Sequence, residues 1–234
     1  MWRGTLWVAG FAVLSLSLSA SAGVDINLGF GSLPSAQGWT YSGSHPEAST
    51  MQLSGGVLSY NTMGWGQQDA FAYYSVNSPS WASSFVLNIT MKTTDMEEWW
   101  RPYPFAAAVG IGNDNYWMGL SIAPSYVAVD LTAHTPATVL LNNVDNHSAF
   151  HDYELQGTFG VDWKLSRDGG FVASGVWTPI TAGNGFWFGD ISNGSNAAVS
   201  ISRFSLQSPV PEPAGLSLLG ALGAFACFKR RRSI

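Results

Sequence analysis

From Val57 to Leu206 the chain is a succession of short runs in which apolar and polar residues alternate, with Gly, Pro, Asn and Asp between them. In Phe85–Met91, residues Phe85, Leu87, Ile89 and Met91 fall on one side and Val86, Asn88 and Thr90 on the other. That is the pattern of an extended strand, whose side chains project to opposite faces at each step. Further runs are Val57–Tyr60, Ala70–Tyr74, Ala106–Ile111, Tyr116–Ser121, Tyr126–Leu131 and Val139–Leu141. Later ones are His151–Gln156, Phe159–Leu165, Phe171–Val176, Phe186–Phe188 and Ala198–Leu206. They predict about a dozen strands, and no stretch has the 3.6-residue periodicity of an amphipathic helix. The alternation in Val199–Leu206 is less regular, which places that strand near a bend or a sheet edge. Arg167-Asp168-Gly169-Gly170 predicts a tight hairpin, because its turn needs positive φ. Pro34, Pro79, Pro124, Pro136 and Pro179 fall between the runs, where they interrupt no ladder. The pattern predicts an all-β fold, an antiparallel two-sheet sandwich of jelly-roll type.

The two ends break this pattern. Met1–Ala22 has a cation, Arg3, an apolar core Leu6–Leu18 and the small residues Ala20-Ser21-Ala22, the order of a secretory signal peptide cleaved after Ala22. Residues 209–234 begin with Val210-Pro211-Glu212-Pro213, continue with the apolar run Ala214–Phe228 and end in Lys229-Arg230-Arg231-Arg232 and Ser233-Ile234. The prolines keep the approach extended. The run is short for a permanent membrane span, and the cations resist translocation. This tail resembles the sorting signal of PEP-CTERM proteins. The resemblance implies export, a transient anchor in the inner membrane through a C-terminal transmembrane helix, and processing by exosortase after passage through the secretion machinery. It also implies a final place at the cell surface or outside the cell. Residues 23–208 are then the exported domain.

Five of the ten Lys and Arg lie in the two ends, against one of the fifteen Asp and Glu, so residues 23–208 carry a formal charge near −9. An acidic domain with scattered cations is a poor partner for nucleic acid. The single cysteine, Cys227, lies in the tail, so the domain has no internal disulfide and no thiolate chemistry.

Within the domain, His151-Asp152-Tyr153-Glu154-Leu155 leads to Val161-Asp162-Trp163-Lys164-Leu165, then to the Asp168-Gly169-Gly170 turn. Phe188-Gly189-Asp190 precedes the closing run Val199–Leu206. This order resembles the second half of concanavalin-A-like and laminin-G-like jelly rolls, and Phe30–Tyr60 fits their first strands more loosely. The resemblance implies a fold used for carbohydrate binding, adhesion and some glycan hydrolysis. Fold does not choose among these.

Glycan hydrolysis needs two nearby carboxylates. Hydrolases of this superfamily often carry them as Glu-x-Asp-x-x-Glu or Glu-x-Asp-x-Glu, and neither occurs here. The nearest acidic cluster is Asp95, Glu97 and Glu98, read as part of a loop. A second is His151, Asp152 and Glu154, read as an exposed strand face. Beside the first cluster stands Trp99-Trp100-Arg101-Pro102-Tyr103-Pro104. Trp99, Trp100 and Tyr103 offer flat apolar faces for sugar rings, and Arg101 and Glu98 offer hydrogen bonds to hydroxyls. Trp117, Trp163 and Trp187 sit within strand patterns and read as core; Trp39, Trp65, Trp81 and Trp177 lie near turns and are left open. Asn113-Asp114-Asn115 and Asn142-Asn143-Val144-Asp145-Asn146 are oxygen-rich, so Asp114, Asn142 and Asp145 are candidate Ca²⁺ ligands, although such residues are also ordinary turn formers. No other cofactor is implied. The sequence thus predicts an exported, exosortase-sorted surface or matrix protein that binds extracellular polysaccharide without catalysis of its own. The alternatives are a glycan hydrolase or lyase with a divergent carboxylate pair, and a purely structural matrix protein.

Overall fold

The computed structural model describes residues 25–66, 71–77, 84–98, 105–132, 137–180, 184–192 and 195–208, all within the compact unit Gly23–Val210. Residues 1–22, expected to be a signal peptide, residues 209–234, expected to be a sorting tail, and Trp81 lie outside the described residues. Among those described, fifteen strands form two antiparallel sheets that pack as a sandwich.

The first sheet has eight strands. They are β1 (Asp25–Leu28), β3 (Met51–Ser54), β4 (Val57–Asn61), β6 (Ser84–Glu98), β11 (His151–Thr158), β12 (Asp162–Arg167), β13 (Gly170–Gly175) and β15 (Ser195–Gln207). Their order is β13-β12-β11-β6-β15-β4-β3, with β1 also paired to β15. The second sheet has seven: β2 (Thr40–Gly43), β5 (Ala72–Val76), β7 (Ala108–Asn113), β8 (Tyr116–Ala123), β9 (Tyr126–Asp130), β10 (Thr138–Asn142) and β14 (Gly185–Asp190). Their order is β10-β9-β8-β7-β14-β5-β2.

Alternation decides what lies between the sheets. Phe85, Leu87, Ile89 and Met91 of β6 all enter the core, as do Phe186 and Phe188 of β14 and Met118, Leu120 and Ile122 of β8. Trp39 joins them, edge-on to Phe188 at 5.1 Å and to Phe204 at 5.4 Å. Trp163 and Trp177 are also core residues. The hairpin at Arg167–Gly170 forms as expected, with φ of 52° at Asp168 and 76° at Gly169, the two positive values that a type I′ turn demands.

Two sequence expectations change. The irregular strand, β15, lies at the centre of its sheet, between β6 and β4, so it is not an edge. Its pairing with β6 shifts register between Ala198 and Val199 and again between Ile201 and Arg203. A bulge adds one residue and reverses the phase, so Val199 and Ile201 point inward before it, and Phe204 and Leu206 after it. Asp95, Glu97 and Glu98 stand on β6 and not in a loop. Charge was misleading there because one face of an antiparallel sheet can be solvated and can hold charges without ending the strand.

Candidate functional site

The outward face of the seven-stranded sheet is unlike that of an ordinary solvated sheet. On β7, Val109 and Ile111 face the core, so Ala108, Gly110 and Gly112 face out. Gly119 and Ser121 of β8 and Ala128 of β9 share that side by the same alternation. The register aligns them in rows. One row runs Thr40, Ser75, Trp187, Gly110, Gly119, Asp130. The next runs Ser42, Tyr73, Gly189, Ala108, Ser121, Ala128. Each row crosses six strands, roughly 24 Å at the usual strand spacing.

Glycine within a strand weakens it and marks a place where something approaches the backbone closely. At Gly110 that neighbour is visible. A Cβ there would lie 1.9 Å from Trp187 Nε1, so the indole is laid across the strand. Trp187 also stacks on Trp117, with centroids 6.1 Å apart and an interplanar angle of 17°. Both tryptophans were expected in the core. Trp117 is buried as expected, at 8 % exposed, but on the outward side of the sheet, where it pairs with Trp187, which like Tyr73 is only half-buried. Aromatic faces of this kind are large apolar surfaces with a polar edge, and hydroxyls of Thr40, Ser42 and Ser75 stand beside them in the same rows.

The far end of the row is closed. Asp130 is 2 % exposed. Its Oδ1 accepts from the Thr132 backbone N–H at 2.7 Å and from Thr132 Oγ1 at 3.0 Å, while its Oδ2 is buried without a hydrogen-bond partner among the described residues. A buried polar atom left unpaired is costly, and here it belongs to a carboxylate at the end of a glycine floor.

The strand that carries Trp187 is anchored from within. Asp190, the last residue of β14, is fully buried on the core side. Burial pushes its carboxyl up to about 8, against the pull of hydrogen bonds from Thr62 Oγ1 (2.6 Å), the Ser192 N–H (3.1 Å) and Ser192 Oγ (3.2 Å).

The structure separates the candidate Ca²⁺ ligands. Asp114 sits in the β7–β8 turn, where its Oδ1 accepts from Asn184 Nδ2 at 2.6 Å. Asn142 and Asp145 lie near the opposite end of β8, since the neighbouring Val144 and Asn146 bond to the carbonyls of Ser125 and Pro124. Asn142 accepts from the Asn143 N–H, and Asp145 from the N–H groups of His147 and Ser148 and from Ser148 Oγ. The bond from the Ser148 hydroxyl is the main reason the Asp145 carboxyl is held down to about 2. These are turn-forming roles. Trp99, Trp100, Arg101 and Tyr103 lie outside the described residues, and Glu98 ends β6 paired with Ser195. The signal that sequence reasoning passed over was the glycines at alternate positions, Gly110 and Gly112, which mark one face of β7.

No protein-family model matches the chain, and no curated protein is similar to it in sequence. Its fold is shared with solved structures. A prokaryotic β-1,3-1,4-glucanase (lichenase) from a mouse hindgut metagenome superposes with a TM-score of 0.54 at 11 % identity, over 79 % of this chain and 99 % of that one. A carbohydrate esterase from the Shiga toxin-encoding bacteriophage phi24B gives 0.52 at 13 % identity, over 74 % and 91 %. A sialidase gives 0.52 at 10 % identity, over 78 % of this chain and 18 % of that one. At such identities the likeness is one of fold, the jelly-roll sandwich of glycan-active proteins. It overturns the expectation that the domain has no catalysis of its own. That expectation rested on a missing carboxylate motif, and a fold shared with a glucanase and an esterase makes the missing motif no ground for excluding glycan chemistry.

Proposed function

We propose that the sandwich engages extracellular polysaccharide at the β2–β5–β14 end of the outward face of its seven-stranded sheet, where Thr40, Ser42, Tyr73, Ser75 and Trp187 reach solvent, as an exported protein sorted through its tail to the cell surface or matrix. The observation that carries the reading is Trp187, laid flat across Gly110 and stacked on Trp117. Sugar rings present a C–H face to an aromatic plane, and the hydroxyls of Ser75, Thr40 and Ser42 lie along the same rows. The fold neighbours support a glycan as the ligand class. Sorting is supported by the order of residues 210–232: the Pro-Glu-Pro motif, the apolar run and the four cations. Replacing Pro211, Glu212 and Pro213 with Ala should leave the protein in the membrane fraction; unchanged release would refute sorting through that motif.

The binding test is calorimetric titration of the purified protein with soluble β-1,3-1,4-glucan. Wild type should bind and Trp187→Ala should lose the binding carried by this face, with the two melting alike. Binding unaffected by the substitution would overturn the placement.

A further inference from the structure

The opposite side of the sandwich carries a second feature of sugar-binding chemistry. A cleft of about 430 Å³ opens on the outward face of the eight-stranded sheet, within the size range of ligand pockets. Gln52, Ser59, Asn61, Thr94 and Ser200 line it, and Trp65 walls it. These residues alternate with Leu58, Tyr60, Val199 and Ile201, which face the core. The Ser59 and Ser200 hydroxyls meet across the β4–β15 pair at 2.9 Å.

The indole is held rigidly. His45 stacks on it with centroids 4.0 Å apart and an interplanar angle of 30°. Behind it, Asn196 Nδ2 donates to the Trp65 carbonyl at 2.9 Å and to Glu97 Oε2 at 2.9 Å, and that oxygen also accepts from the Gly64 N–H at 3.2 Å. Asn196 is fully buried, and its Oδ1 has no hydrogen-bond partner among the described residues. A wall fixed by stacking and a buried amide is pre-organised, which spares a ligand the cost of ordering it.

None of the described residues lining the cleft is charged, although the domain is acidic. A rigid aromatic wall over serine hydroxyls and carboxamides suits a neutral pyranose; the cation beside it, Lys92 opposite Ser200, is turned over the Phe150 ring. We infer that this cleft is a second site for neutral glucan, and that the domain is bivalent and bridges two glucan chains on opposite faces. The cleft argument stands by itself; the bridging rests on the proposed site at Trp187. Sheets in a sandwich lie about 10 Å apart, so one straight chain does not reach both faces.

The test uses the purified protein with two probes, a mixed-linkage β-1,3-1,4-glucan tetrasaccharide for calorimetric stoichiometry and the long polymer for turbidity. Wild type should take up two tetrasaccharides and cloud the polymer. Trp65→Ala should take up one and leave the polymer clear. Trp65 also packs on the core, so Ser59→Tyr, which fills the floor from the outward face of β4, is the second variant and should behave likewise. If Trp187→Ala alone abolishes all binding, the second site is refuted and the first stands. If Trp65→Ala and Ser59→Tyr abolish all binding while Trp187→Ala changes nothing, the cleft stands and the proposed function on the other face falls. No uptake of the tetrasaccharide by wild type refutes both, and tighter binding of a polyuronate than of the glucan refutes the neutral ligand.

Discussion

Asp190 makes the stability of this domain fall as pH rises, and Asp190→Asn should abolish that slope. The carboxyl is fully buried, and burial pushes it up to about 8, against an ordinary value of 3.8. A folded-state value above the unfolded one means that the native state holds the proton more tightly. Its contribution is fully present below about pH 4 and is lost progressively as pH rises towards 8. Each pH unit in that window removes up to 1.36 kcal/mol, so the loss from pH 5 to pH 8 is about 3–4 kcal/mol. Against a total of roughly 5–15 kcal/mol for a domain, that is large. An amide has the carboxyl's shape and no charge to bury. Its oxygen can accept from Ser192, and Thr62 Oγ1 can turn to the Ala197 carbonyl at 3.3 Å. Urea unfolding followed by tryptophan fluorescence, at steps from pH 5 to pH 8.5, reads the difference between the two proteins. Every other titratable group is common to both proteins, so the difference curve isolates Asp190. The variant should match wild type within about 1 kcal/mol at pH 5, the net worth of a typical hydrogen bond, and exceed it by about 3–4 kcal/mol at pH 8. Parallel curves would refute the reasoning.

Gly110→Ala places a methyl inside the Trp187 indole and should destabilise by about 1–3 kcal/mol, as overpacking does. Trp187→Ala should suppress most of that penalty, and a double-mutant cycle showing additivity would contradict the close approach. Gly169→Val puts a β-branched residue at φ 76°. It should lower stability by about 1–3 kcal/mol in thermal melts without altering glucan binding, since the β12–β13 turn belongs to neither site. Asp114→Ala and Asp145→Ala should act additively on melting temperature with or without CaCl₂, because the two residues lie near opposite ends of β8; non-additivity confined to calcium would point to a shared ion.

Where one face of a strand was plainly apolar and the other plainly polar, the sequence was enough. Phe85, Leu87, Ile89 and Met91 could only face inward, and Asp168-Gly169 could only be a turn. Period-two reading failed where that contrast vanished. Both faces of β7 and β8 are uncharged, so hydrophobicity put Trp117 inside although its neighbour Met118 holds that place. In β15 the contrast was present but its phase reversed at a bulge, which no fixed period can follow. The short strands β1, β2 and β3 were not delimited because three or four residues give too few alternations. The cleft at Trp65 was illegible for a different reason. It is assembled from Gln52, Ser59, Thr94 and Ser200, which only the pairing of β3, β4, β15 and β6 brings together.

The position of β15 also sets the order of events as the chain folds. It is the last strand described, yet it is hydrogen-bonded to β6 along one side and to β4 and β1 along the other, and Asp25 pairs with Gln207. Until residues 195–207 have arrived, β1, β3 and β4 have no bond to the rest of their sheet. Closing such distant pairs carries a large loop entropy and slows folding. The domain therefore cannot complete its eight-stranded sheet from a partly emerged chain, and a chain cut short of β15 should remain open and sensitive to protease. In the export proposed above, a sheet that closes last would stay incomplete until nearly all of the chain had crossed the membrane.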